Sequence, residues 1–115
     1  MTTTIDDLDS ADAKLVTLAR SARARTGAAE GAAVRDTIGR TYAAATVELP
    51  SLSVTALQAA VVAAVSSGAE GIEAAVIVGE SAEITAASAS AVRDLTPDAP
   101  IYLVDLSGTV VDKTP

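Results

Sequence analysis

Hydroxyl and carboxylate side chains are the groups in this chain that could do chemistry, because the sequence has neither cysteine nor histidine. That composition excludes disulfides, thiol chemistry, thiolate or imidazole metal sites and every triad built on histidine. Three hydroxyls are placed where they could act. Thr55, and Thr85 and Ser88 of the string TAAS, fall in the first turns of two predicted helices. A hydroxyl there can satisfy orphan backbone N–H groups. Among the carboxylates, Glu48 ends a predicted strand, and Glu70, Glu73, Glu80 and Glu83 surround another. Paired carboxylates can move protons or hold a hard cation, but these straddle an apolar segment and read as a solvated rim.

The elements that must position these groups are legible from apolar spacing. The chain has 115 residues, which is one domain, 1–115, with 1–9 and 112–115 expected to be loose. Aromatics make up 2%, only Tyr42 and Tyr102, so Ala, Val, Leu and Ile must fill the core. Helical spacing from Leu15 to Ala22 predicts a helix over 10–26, stopped by Gly27, with Arg20, Arg23 and Arg25 at the end that suits cations. Residues 31–49 read as two strands around a turn at Asp36–Gly39, ended by Pro50. Ser53 reads as the N-cap of a helix over 54–67, stopped by Gly68. A strand over 73–80, a short helix over 85–95 and strands at 101–106 and 109–111 follow. The order α-β-β-α-β-α-β-β implies an α/β fold, a mixed sheet with helices on its faces.

The net charge of −7 argues against nucleic acid as a partner, since phosphate binding is built from clustered Lys and Arg. No apolar run is long enough to span a membrane and the N-terminus MTTTIDDLD is acidic, so no membrane association and a cytoplasmic location are expected.

Several strings, in this order and spacing, resemble the small cytidine deaminases. GAAV at 31–34 with Gly39–Arg40 is similar to that family's first hairpin, VEL at 47–49 to the end of its second strand, and AVSSG at 64–68 to the close of its zinc-site helix. AAVIV at 74–78 and PIYLVDLSG at 100–108 resemble its next two strands. The resemblance implies a three-layer cytidine deaminase-like fold, with a mixed five-stranded sheet flanked by helices. It also implies assembly as a homodimer or homotetramer.

In that family three thiolates hold zinc, zinc activates water, and a glutamate shuttles protons during attack on the cytosine ring. The resemblance places Thr55, Ala56 and Leu57 on the family's "CAE", and Thr85 and Ser88 on the two cysteines of its "PCxxC". Neutral hydroxyls are poor zinc ligands beside thiolates, and Leu57 cannot move a proton. The sequence therefore predicts a homologue with no catalytic residue, no metal and no cofactor, in which Thr55, Ala56, Leu57, Thr85 and Ser88 line a remnant pocket. Glu48 falls on the position that resembles a ribose acceptor, with Thr46 beside it, which gives a nucleoside-binding module as the alternative. An unidentified protein partner is a further reading, and a hydrolase or deaminase is the least favoured.

Overall fold

A computed structural model of the chain describes residues 3–4 and 8–114. Its elements are β1 (Thr3–Thr4), α1 (Ser10–Thr26), β2 (Gly31–Asp36), β3 (Thr41–Ala45), β4 (Val47–Leu49), β5 (Leu52–Val54), α2 (Ala56–Ser66), β6 (Ile72–Val78), α3 (Ala86–Arg93), β7 (Ile101–Val104) and β8 (Thr109–Thr114). The predicted first helix is α1, and its stop has the expected cause. Gly27 takes φ 66°, a left-handed conformation that favours glycine, and its N–H caps the Arg23 carbonyl.

Strands β3, β2, β6, β7 and β8 lie side by side as the expected five-stranded mixed sheet, and β1 extends it beyond β8. Strands β6 and β7 pair in parallel across α3. Strand β2 runs antiparallel to both β3 and β6, so the crossover through α2 skips one strand. Alternation along the strands then assigns the layers. Ala32, Val34, Ala75, Ile77, Ile101 and Leu103 face α2 and α3. Ala33, Ala74, Val76, Val78 and Val104 face α1. No described helix is long and apolar enough to cross a membrane.

Small residues let the layers approach closely. A Cβ added at Gly31 would collide with the Ala19 carbonyl of α1, so only glycine allows α1 to cross β2 there. An ion network that runs from the buried Asp12 to the exposed Glu73 adds direction: Arg35 on β2 donates to Asp12 on α1 and to Glu73 on β6, each at 3.0 Å. The β2–β3 turn closes on Asp36, which accepts from the N–H groups of Ile38 (3.1 Å) and Arg40 (2.9 Å) and from the Tyr42 hydroxyl (3.0 Å). Burial alone would raise the Asp36 pKa, but these hydrogen bonds outweigh it and hold the carboxyl below its ordinary value.

Other expectations need correction. The second strand of the hairpin is not continuous to 49. It breaks at Thr46, and β4 turns back on β5 as a separate two-stranded ribbon. Ser53 is therefore a strand residue rather than an N-cap, and Thr55 caps α2 instead. The C-terminal tail is not loose through 114. Strand β8 pairs with β7 as far as Thr114, and Asp112 accepts the Ile84 N–H at 2.9 Å. At the other end Thr3 and Thr4 pair with β8, and Asp9 caps α1. Residues 1, 2, 5–7 and 115 lie outside the described residues.

Candidate functional site

Two helix N-termini meet at the expected hydroxyls. Thr55 is extended (φ −71°, ψ 161°), and its Oγ1 accepts the Gln58 N–H at 3.1 Å. Gln58 Oε1 accepts the Thr55 N–H in return at 2.9 Å, which completes a capping box. At the start of α3, Thr85 Oγ1 accepts the Ser88 N–H at 3.3 Å. Ser88 Oγ in turn donates to Thr55 Oγ1 at 2.9 Å. One hydroxyl–hydroxyl bond thus ties the first turn of α3 to the cap of α2. Ser88 is 2% exposed, so its hydroxyl is satisfied inside the protein, as buried polar groups require.

The remaining predicted residues divide. Ala56 and Leu57 are fully buried, in one core cluster with Ala60, Val34 and Ile77. Thr85 is exposed. Thr46 Oγ1 accepts the Glu30 N–H at 3.1 Å and donates to the Glu30 carbonyl at 3.3 Å, which joins the chain beyond β3 to the start of β2. Glu48 is exposed on β4.

Thr46, Glu48 and Thr55 nevertheless line one open cavity of about 570 Å³, together with Arg23, Glu30 and Gln58. Glu80 adds a further carboxylate to its wall. Sequence reasoning missed Arg23, Glu30 and Gln58. Gln58 carried a signal, since T-x-x-Q ahead of an apolar run is a capping box. Arg23 carried none beyond its helix-end position; its Nε donates to the Ala29 carbonyl at 3.1 Å. The remaining glutamates of the predicted rim do not gather: among the described residues no group of three or more acidic side chains could hold a metal ion.

Layer order, strand order and the paired helix starts define a three-layer α/β protein of the deaminase type. In structure the chain is similar to the cytidine deaminase from Burkholderia pseudomallei, with a TM-score of 0.76 and 24% identity over 88% of this chain and 89% of that one. At that identity the likeness carries the fold. The sequence model of the family described as cytidine deaminase-like matches residues 8–108, and the chain belongs to that family. No curated protein matches it in sequence.

The zinc that the resemblance implies can be tested against the residues present. Zinc is held by thiolates, imidazoles and carboxylates. The atoms that converge here are neutral hydroxyls, and Thr55 Oγ1 already accepts hydrogen bonds from Gln58 and Ser88. A hydroxyl oxygen has two lone pairs to offer. This donor set does not fit zinc.

Proposed function

We propose that the chain is a non-catalytic homologue of cytidine deaminase that serves as an oligomeric structural or interaction protein. The observation that carries the reading is the Ser88–Thr55 hydroxyl bond beside a fully buried Leu57. A deaminase needs a charged metal shell and a proton carrier in those first turns. Here the first turns of α2 and α3 contain hydroxyls spent on each other and an apolar side chain spent on packing.

Assembly is supported by apolar surface on α2. Val62 and Val65 are 61% and 49% exposed, and with Ala91 and Leu95 they line a groove of about 430 Å³ between α2 and α3. The assembly is a homodimer or homotetramer, with another protein as the alternative cover for that groove. Size-exclusion chromatography with light scattering tests this. A mass above one chain at micromolar concentration is expected, and a clean monomer would count against it.

A second reading has its own support: Thr46, Glu48 and Thr55 share the walls of the 570 Å³ cavity. In that reading the chain binds a nucleoside or another small polar molecule without turning it over. A bound ligand raises apparent stability by mass action, so thermal-shift measurements with nucleosides at millimolar concentration decide it. Melting temperatures unchanged by every nucleoside would remove it.

A further inference from the structure

We infer that the open edge of β3 is the contact through which two copies of this chain join, as antiparallel strands around a two-fold axis at Ala43. This rests on the oligomeric reading above and places the two-fold contact at the sheet edge instead of at the α2 groove. Strand β3 ends the sheet. The pairing with β2 fixes which of its backbone groups are free. Asp36 N–H donates to the Arg40 carbonyl and Thr46 N–H to the Glu30 carbonyl, so residues 40, 42, 44 and 46 turn their N–H and C=O toward β2. In an antiparallel ladder the alternate residues point the other way. Thr41, Ala43 and Ala45 therefore direct their backbone groups outward from the sheet.

Those three residues form a self-complementary set. With Ala43 opposite Ala43 of the second copy, Thr41 falls opposite Ala45 at both ends. All the outward N–H and C=O groups then pair, giving about six hydrogen bonds across the axis. The edge also lacks the usual guards. The strand reads TYAAA, with no Lys, no Pro and no inward charge, the devices by which edge strands are kept from pairing. Ala43 is itself exposed, and its methyl group offers no bulk against a neighbouring strand.

The flanking charges set no direction: Arg40 is already paired with Asp36 of its own chain at 3.3 Å, and Glu48 lies on β4, outside this sheet. A second copy therefore suits this edge in shape and hydrogen bonding.

The absence of cysteine makes the test direct. In Ala43→Cys the introduced thiol can form a disulfide only with a second copy, and directly opposed strand residues lie about 5.5 Å apart at Cα, within disulfide reach. Air oxidation should convert this variant to a covalent dimer, while Val62→Cys on the α2 groove serves as the comparison. Ala43→Lys should raise the dimer dissociation constant by about tenfold or more, because like charges directly opposite repel. Ala43→Pro, whose lost N–H faces outward, should do the same, and circular dichroism reports whether each variant folds. If the parent is oligomeric, yet Ala43→Cys stays uncrosslinked and folded Ala43→Lys keeps the parent's mass, the edge contact is overturned and the oligomeric reading stands. Preferential crosslinking of Val62→Cys would move the contact to the helices. A monomeric parent would overturn both.

Discussion

Replacing Leu57 with Glu restores the residue type that the family resemblance expects, and the fold predicts that the chain will not tolerate it at neutral pH. Leu57 is fully buried among Ala56, Ala60, Val34 and Ile77. Truncation to Ala sets the scale: loss of a buried leucine costs about 2.7–5 kcal/mol. Total stability for a domain of this size is about 6–17 kcal/mol, at roughly 0.05–0.15 kcal/mol per residue. Glu adds a pH-dependent cost. A carboxyl buried there holds its proton to about pH 8 or 9, above its unfolded value of about 4.3. The folded pKa is raised, so stability is retained below about pH 4.3 and falls as pH rises toward the folded value. At about 1.36 kcal/mol per pH unit, the loss between pH 4.3 and pH 7 is about 3.7 kcal/mol. Urea denaturation followed by far-UV circular dichroism measures this, since the chain has no Trp. Leu57→Glu should be close to Leu57→Ala in stability near pH 4 and far less stable at pH 7. A variant as stable as the parent at pH 7 would refute the packing argument, because its carboxylate must then reach solvent.

Other substitutions test the site and the layers around it. Thr55→Ala removes a cap and a buried hydroxyl partner and should cost about 1–2 kcal/mol, with Ser88→Ala costing about 1 kcal/mol. The double variant in urea denaturation should cost less than the sum, by about 0.5 kcal/mol or more, since the hydroxyls act on each other; strict additivity would break the link. Gly31→Ala should lose about 2 kcal/mol or more by thermal melting, because its methyl meets the Ala19 carbonyl. Asp36 has a lowered folded pKa, so its contribution is present above its ordinary range and is lost as pH falls through the folded value. Tyr42→Phe removes one of the bonds that lower it and should flatten the acid limb of the stability profile, whereas an unchanged limb would assign the acid loss to other groups.

How far the sequence could be read depended on whether the signal was local. Gly27 ended α1 as expected because positive φ is a property of one residue. Val76–Val78 and Ile101–Val104 were legible as strands because branched residues crowd both faces of a buried sheet. The cap of α2 was misplaced by two residues, since Ser53 and Thr55 both suit a cap and only Gln58 at the third helical position decides between them. The β4–β5 ribbon around Pro50–Ser51 was hidden because a three-residue strand carries little alternation. Strand β1 and the far half of β8 depend on pairing between the two ends of the chain. The Arg35 network was out of reach for the same reason, joining residues 23 and 38 positions apart. At the site, the three hydroxyl positions were legible; that Ser88 reaches Thr55 across 33 residues was a property of the fold.

Zinc content and cytidine turnover, measured together, bear most directly on the loss of deaminase chemistry. The purified chain is incubated with excess zinc, passed over a desalting column, assayed for bound metal, and given cytidine at millimolar concentration. A first shell of neutral hydroxyls predicts no retained zinc and no uridine above the uncatalysed background. Uridine formed in proportion to zinc retained would contradict the reading and return the chain to the enzymes.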